Sequence, residues 1–331
     1  MNTIGREALT ALLRFRVKRT LRKLGLDPKL GEARGEPRPI HMWDTVLYRR
    51  NNRFDIAVPE DPAAQTYVGR ESLAGFLYLF HHCAPDVARM SVSCSDGHEA
   101  TAARFAQCSR SDDIILLPDH YFVTRRGFAA ERALAEANPV PWHQRRDHLI
   151  WRGGANGEGI HPLTAEDAPN PRVIQRARLC LLLAGHPHAD ALLTAGQNEK
   201  RPLAAFSPLG ITGAPRPEAE WLGDKYAIDI DGWTNAWSNL LIRMHFGCCV
   251  LKVASADGYR QWWYDRLVPW EHFVPVRADM SDLLEKIDWV RTNDAEASAI
   301  AARGQALARS MTLESETAHA VRLIEANWQD R

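Results

Sequence analysis

The chain has 331 residues, of which 45% are hydrophobic, and this length and composition predict two domains with substantial cores. Lys and Arg total 41 and Asp and Glu total 41, so the net charge is zero and we expect no nucleic-acid partner. No apolar run reaches the roughly eighteen residues of a membrane-spanning helix. The six cysteines lack CxxC spacing and are typical of buried thiols in a reducing compartment, which predicts a cytoplasmic protein.

The first 30 residues are strongly basic, with eight Lys or Arg against two acidic residues. Apolar residues recur there at helical spacing: Leu9, Leu13, Val17, Leu21 and Leu24. We predict a basic amphipathic helix and a linker over residues 1–35. Two interpretations stay open. The helix either binds an anionic membrane, at the inner face of the cytoplasmic membrane, or packs on its own protein and exposes a basic face.

Strand-like and helical segments alternate after the linker, which is typical of an α/β fold. We predict one lobe over 36–142, a second over 143–310 and a final helix within 311–331. The predicted strands are Met90–Cys94, Asp113–Leu117, Leu149–Trp151, Leu179–Leu183, Tyr226–Ile230, Cys248–Val253 and Phe273–Val276. The predicted helices lie near Ala100–Ala106 and over Asn235–Phe246, Tyr259–Leu267, Ser281–Arg291, Ala295–Arg309 and Leu313–Trp328.

Asp96 is the first candidate functional residue, because it follows the predicted strand Met90–Cys94. Open α/β folds bind ligands at the carboxyl ends of their strands, and a carboxylate there can act on a substrate. The plainer interpretation is an Asp-Gly turn, since Gly97 comes next.

A second candidate is the glycine-rich stretch WRGGANGEG, residues 151–159. It has neither the GK[ST] ending of a P-loop nor the GxGxxG spacing of a dinucleotide fold. A glycine-lined turn with Arg152 beside it still suits close approach of an anion. The alternative is a flexible surface loop.

A third candidate is the D-x-D segment formed by Asp229 and Asp231. Paired carboxylates of this kind can hold a divalent cation against a nucleotide diphosphate. Gly232 follows directly and ends the predicted strand, which weakens the argument that both side chains share one face.

The C-terminal half contains several short motifs in a fixed order. They are Lys225-Tyr226, Gly247–Lys252, Trp262–Tyr264, Pro269-Trp270, His272–Val276 and Asp279–Leu283, preceded by Pro141-Trp142 and Trp151–Gly154. In this order they resemble glycosyltransferase family 90, and its bacterial type in particular. That family includes protein O-glucosyltransferases, capsule xylosyltransferases and lipopolysaccharide-modifying transferases. The resemblance implies a GT-B-like fold of two Rossmann-type lobes with a cleft between them.

The resemblance also implies a chemistry. An inverting, metal-independent transferase would move a sugar from a UDP-sugar to a hydroxyl of a bacterial surface glycan such as lipopolysaccharide or its lipid-linked precursor. Asp96 matches the region of the family's catalytic aspartate and is the expected base. No cofactor is expected, since the UDP-sugar is the donor substrate.

The donor site is expected in the second lobe, with phosphate oxygens facing the start of a helix near Asn235. Residues assigned to it through the resemblance are Arg152, Gly153, Gly154, Lys225, Asp231, Asn235, Trp237, Ser238, Asn239 and Lys252. Many relatives carry two arginines where this chain has Asn239 and Ile160. The replacement cations would come from Arg172, Arg176, Arg243 and Arg260.

Two other functions are compatible with the sequence. The missing arginines favour a catalytically degenerate relative that binds glycan or membrane without transferring sugar. The D-x-D segment favours a metal-dependent transferase that uses Asp229 and Asp231.

Overall fold

The computed structural model describes residues 3–51, 53–61, 71–195 and 201–329, and the side chains of 3–10 and 71 lie outside the description. The chain forms two compact units. The first consists of residues 1–127, 259–264 and 311–331, and the second of residues 128–258 and 265–310. The chain therefore enters the second unit after Gly127, fifteen residues before the predicted boundary at Trp142, and returns twice to the first.

The described strands are β1 (Lys29–Glu32), β2 (Asp44–Arg50), β3 (Arg53–Ala57), β4 (Arg89–Ser93), β5 (Phe105–Ala106), β6 (Ile115–Leu116), β7 (Arg146–Gly153), β8 (Ala189–Leu193), β9 (Asp224–Asp229), β10 (Cys249–Val253) and β11 (Val274–Val276). The described α-helices are α1 (Thr3–Lys23), α2 (Glu71–His82), α3 (His120–Thr124), α4 (Ala129–Ala137), α5 (Gln175–Leu182), α6 (Asn239–His245), α7 (Leu283–Thr292), α8 (Asp294–Ser310) and α9 (Leu313–Asn327). These elements confirm the α/β class.

The first unit contains a mixed six-stranded sheet in the order β1-β3-β2-β4-β5-β6. Strand β2 runs antiparallel to β3 and β4, whereas the other pairs are parallel. The antiparallel pair arises because β2 and β3 are joined by a very short turn, in which Asn51 has a φ of +54°. This unit is thus α/β without the all-parallel sheet of a Rossmann-type lobe.

The second unit contains five parallel strands in the order β11-β10-β9-β7-β8. Strand β8 lies on one side of β7, and the next strand in the chain, β9, lies on the other side. In the chain order of this unit the strands read 2-1-3-4-5, a doubly wound order with its topological switch point between β7 and β9. Strands β9 and β10 are buried at nearly every position, as is typical of the central strands of a parallel sheet.

Three predicted elements are wrong. The run Leu179–Leu183 belongs to helix α5, because a short continuous apolar run fits a buried helix as well as a strand. Residues 100–104 form a loop and not a helix, since Asp44 accepts hydrogen bonds from the Thr101 hydroxyl (2.6 Å) and the Ala102 amide (2.8 Å). The predicted helix Tyr259–Leu267 is not an α-helix: it holds only the 3-10 turn Tyr264–Arg266, and its residues 259–264 belong to the first unit.

Helix α1 packs on its own protein. Leu13, Val17 and Leu21 are at most 3% exposed and lie in the core of the first unit, as the docking interpretation predicts. Leu24 is partly buried against the same core, and the Leu9 side chain lies outside the described residues. Among the described residues, no helix is long and apolar enough to cross a bilayer.

The six cysteines are free and buried, as predicted. Burial raises the pKa of the Cys83 and Cys94 thiols to about 12, so both stay protonated and act as apolar side chains.

We expect Leu21→Ala to lower the free energy of unfolding by about 2–5 kcal/mol, because it leaves a cavity under α1. Leu12, on the same helix, is 44% exposed, and Leu12→Ala should change stability by less than about 0.5 kcal/mol. Urea denaturation followed by circular dichroism measures both. Equal losses in the two variants would contradict docking through the Leu21 face.

Candidate functional site

The candidate site lies at the carboxyl edge of the second unit's sheet, where the strand order switches. Gly153 ends β7, Asp229 ends β9, and Lys252 is the penultimate residue of β10. Strands β9 and β10 are paired so that Lys252 lies opposite Asp229. We call the ends of these three strands and the turns that follow them the switch-point site. Doubly wound folds bind ligands at this position.

A buried ion pair forms the centre of the switch-point site. The Lys252 ammonium donates to Asp229 Oδ2 at 3.0 Å, and the Asn239 amide donates to Asp229 Oδ1 at 2.9 Å. Asp229 is 0% exposed and Lys252 is 9% exposed. Both carboxylate oxygens are therefore hydrogen-bonded inside the protein, which offsets much of the cost of burying the charges.

Helix α6 extends this network away from the strand ends. Arg243 donates from Nε to Asn239 Oδ1 at 3.2 Å, and its guanidinium stacks 3.3 Å from the centre of the Trp221 ring. Arg243 is only 8% exposed, so the alternative of a solvated helix face is wrong for it. Its cation orients Asn239, and Asn239 in turn orients the Asp229 carboxylate.

Asp231 differs from Asp229 in its environment. It is 6% exposed, and burial raises its pKa to about 6, against the opposing effects of the Lys252 charge and a hydrogen bond from Ser255. The nearby Asp229 carboxylate raises the pKa of Asp231 further. Within the D-x-D segment, Asp231 therefore titrates near pH 6, whereas Asp229 is held in place by Lys252 and Asn239.

Arg176 fastens the two central strand ends to each other. Its guanidinium donates to the carbonyls of Asp231 (3.0 Å), Ile230 (3.1 Å) and Gly154 (3.4 Å). A Cβ at Gly232 would lie 3.1 Å from the guanidinium carbon, so a larger residue there would press against Arg176. Arg176 therefore satisfies main-chain carbonyls at the switch point.

The glycine loop, residues 153–159, packs closely on Gly232, which lies beside Arg176. Gly157 has a φ of +124°, and a Cβ there would lie 2.9 Å from the Gly232 carbonyl oxygen. Arg201 donates to the carbonyls of Gly157 (2.7 Å) and Gly159 (3.1 Å) and lies over the Trp233 ring. These contacts fix residues 157–159, so the alternative of a flexible surface loop is wrong for them.

Arg201 is a residue that the sequence does not reveal. It stands outside every motif, and its role depends on three main-chain carbonyls that only the folded loop turns toward it, Ala155 being the third at 3.5 Å. No spacing in the sequence encodes such a contact.

Helix α6 begins four residues later than predicted. Asn235 Oδ1 accepts a hydrogen bond from the Trp237 amide at 2.5 Å, and Trp237 has a φ of +52°, so residues 235–238 form a turn. The helix starts at Asn239, whose side chain bonds Asp229, and Ser238 precedes it without a side-chain cap. Asn235 is buried next to Thr234 in that turn.

Several predicted donor-site residues lie elsewhere. Lys225 is at the amino end of β9, where it bonds Asp294 (2.7 Å). Arg152 is on β7 but donates to Asp190 Oδ2 (2.7 Å) and to nearby carbonyls. Arg172 is exposed. Arg260 belongs to the first unit and pairs with Asp112.

Asp96 lies in the first unit, three residues beyond the end of β4, with its side chain exposed. Gly97 has a φ of +106°, and a Cβ there would lie 2.7 Å from the Cys108 carbonyl, so the turn needs glycine. Asp44 holds the far end of the same loop through Thr101. Asp96 therefore lies on a fixed turn at the carboxyl end of a strand. Both interpretations, a functional carboxylate and an Asp-Gly turn, require this position.

In the part of the chain that the structure describes, no three His, Cys, Asp or Glu side chains form a group able to hold a metal ion. To bind a metal ion, Asp229 in the D-x-D segment would have to lose its hydrogen bond from Lys252 or from Asn239.

Residues 214–324 match the model of a family described as Glycosyl transferase family 90. Protein 179R of Invertebrate iridescent virus 6 is 32% identical over 179 residues, 47% of this chain and 14% of the viral protein. Human Protein O-glucosyltransferase 3 is 39% identical over 87 residues, which cover 26% of this chain and 17% of the human protein. The chain thus spans less than a fifth of either relative.

Among solved structures, Anabaena Alr3699/HepE in complex with UDP-glucose aligns with 60% of this chain and 53% of its own, at 10% identity and a TM-score of 0.36. No residue of the switch-point site is assigned from so distant a similarity.

Asp229→Asn and Asp231→Asn should change stability in opposite directions. Asparagine at 229 leaves Lys252 buried without its anion, and we expect a loss of about 3–5 kcal/mol. Asparagine at 231 removes a carboxylate whose pKa rises on folding to about 6. Folding therefore favours protonated Asp231, and that contribution is lost as the pH rises toward and through 6. At about pH 7.5 the 231 variant should exceed the parent by roughly 2–3 kcal/mol.

Urea unfolding at about pH 4 and about pH 7.5 measures this contrast. The gain from Asp231→Asn should fall to well under about 1 kcal/mol at the lower pH, where Asp231 is protonated in the folded parent and only partly ionised in the unfolded chain. A gain that is independent of pH would refute the assignment of a raised pKa to Asp231.

Proposed function

Because residues 214–324 match the model of glycosyltransferase family 90, we propose that the chain is a member of that family and an enzyme that transfers a sugar from a UDP-sugar to a hydroxyl group. The single observation that carries this proposal is where the family match falls. Its matched residues 214–324 include Asp229, Asp231, Asn239 and Lys252, which meet at the topological switch point. A nucleotide-sugar diphosphate is a ligand suited to that edge of the sheet.

The proposed reaction is an inverting single displacement. The acceptor hydroxyl oxygen attacks the anomeric carbon from the face opposite UDP, and the bond from that carbon to the diphosphate oxygen breaks. UDP takes the bonding electron pair, and Asp96 takes the hydroxyl proton. The exposed side chain of Asp96 on a fixed turn supports this role, because a base must be open to the acceptor and held in one place.

Donor binding is proposed to depend mainly on uncharged groups. Arg176 and Arg152 direct their guanidinium donors to main-chain carbonyls and Asp190, and Lys252 is paired with Asp229. The glycine pair Gly153-Gly154 offers backbone amides next to them, which can bind phosphate oxygens without a side chain in the way. Arg172 is exposed, and its carbonyl accepts from the Ile160 amide next to the glycine loop, so it is our candidate for an added positive charge.

We propose that the reaction needs no divalent metal and no cofactor. The carboxylate of Asp229 already accepts from Lys252 and Asn239, so a metal would have to displace a buried ammonium to reach it. The backbone amides proposed to bind the diphosphate would stabilise its charge as it leaves, without a metal.

The proposed acceptor is a bacterial surface glycan, such as lipopolysaccharide or its lipid-linked precursor, met at the cytoplasmic side of the membrane. This part of the proposal rests on the resemblance to bacterial members of the family.

A second candidate is a relative that binds glycan without transferring sugar. The observation that favours it is the full engagement of Arg152 and Arg176 in contacts within the protein. A transferase with few cations at the diphosphate would bind its donor weakly.

We expect turnover of one sugar in a panel of UDP-sugars, and Asp96→Asn should lower kcat by about 10²–10⁴-fold because it removes the base. UDP affinity measured by calorimetry should not change, since Asp96 lies in the other unit from the switch-point site. Glu99→Gln is the matched control, a carboxylate of the same loop paired with His98. UDP binding with no turnover across a broad acceptor panel would favour the non-catalytic relative.

Activity should persist in excess EDTA, because backbone amides take the place of a metal at the diphosphate. The rate of UDP release before and after chelation measures this. Loss of activity on chelation and its recovery with magnesium or manganese would instead establish the metal-dependent mechanism through Asp229 and Asp231.

A further inference from the structure

The outer face of α1, opposite the face that packs on the protein core, carries exposed apolar side chains. Leu13, Val17 and Leu21 point into the core, and at 100° per residue Leu12 and Phe15 lie on the opposite side of the helix. Leu12 is 44% exposed and Phe15 is 64% exposed. Two large apolar side chains therefore face solvent on a helix that is already docked.

Exposed cations share this outer face. They are Arg16, Arg19, Arg22 and Lys23, all classed as exposed. Asp27 is the carboxylate that pairs with this helix among the described residues, and it bonds Arg22 and Lys18 at the flank. Arg126 donates to the Lys23 carbonyl and adds a further cation at the end of α1. The face is thus apolar at its centre and positive around it.

We propose that the outer face of α1 binds an anionic phospholipid surface. Phe15 and Leu12 enter the headgroup region, while Arg16, Arg19 and Lys23 contact lipid phosphates. Exposed apolar side chains amid cations fit a bilayer interface, which has both anionic groups and an apolar layer beneath them. A nucleic acid would match the charge of this face and leave Phe15 and Leu12 in water.

The lipid-binding face of α1 is thus the opposite of the apolar face that the sequence periodicity indicates. The regular apolar stripe is committed to the protein core, so the contact must come from the side that periodicity assigns to solvent. It also rests on the proposed function for its purpose, because a lipid-linked acceptor would be met at such a surface. Binding itself needs no turnover, so the two can fail separately.

The test uses the full chain and sedimentation with vesicles of mixed phosphatidylglycerol and phosphatidylcholine, compared with phosphatidylcholine alone. We expect binding to the mixed vesicles only. The double variant Arg16→Glu with Arg19→Glu should weaken binding by about 30-fold or more, since each cation contributes about a factor of five. Phe15→Ser should weaken it about tenfold by removing the inserted ring. Melting temperatures of both variants should match the parent.

The matched control is Arg309→Glu with Arg322→Glu, two exposed helix cations far from α1 in sequence, with the same change of net charge. It should bind like the parent, and an equal loss would overturn the proposal in favour of general charge attraction. Failure of the parent to bind mixed vesicles would overturn it too. So would a heparin or DNA affinity that depends on Arg16 and Arg19 while Phe15→Ser has no effect on vesicle binding. Transfer to a water-soluble acceptor, measured separately, should be the same in all variants.

Discussion

The buried pair Asp229 and Lys252 is the constraint on which the candidate site depends. Two charges inside the protein are tolerated only while each keeps its partner, so β9 and β10 must stay in the register that places them opposite each other. The second carboxylate oxygen then requires Asn239, and Asn239 fixes the start of α6. One electrostatic requirement thereby positions two strand ends and a helix.

The arginines of this unit illustrate a second constraint. Turns after parallel strands expose carbonyls that no sheet partner satisfies, and a planar guanidinium with five donors can bond several of them at once. Arg176 bonds the Asp231 carbonyl next to Gly232, and Arg201 bonds the Gly157 carbonyl. Both contacts stiffen a glycine-rich loop that would otherwise be mobile. Stiffness of that kind suits a backbone that must meet a ligand closely.

Sequence reasoning identifies β9, β10 and β11, because they are buried runs rich in apolar residues with clear ends. It misses β8, which is only partly buried. It fails for Leu179–Leu183, whose apolar run carries no period, and for the start of α6, which a turn at Asn235 delays. The D-x-D pattern leads to Asp229, and the family motifs lead to Lys252. The contacts of Arg201 escape detection, because they join a side chain to main-chain atoms distant in sequence.

The division of the chain between the two units affects how the protein is made. The first unit is completed by residues 259–264 and 311–331, where Gln261 bonds Asp119 and Trp262 bonds Glu316. The sheet of the second unit is complete once β11 has been synthesised. On the ribosome, the amino-terminal unit must therefore wait for the last helix before its core closes, although its own sheet is translated first. Removal of helix α9 alone would expose apolar core residues at the amino-terminal end of the chain, because they share one core with α9.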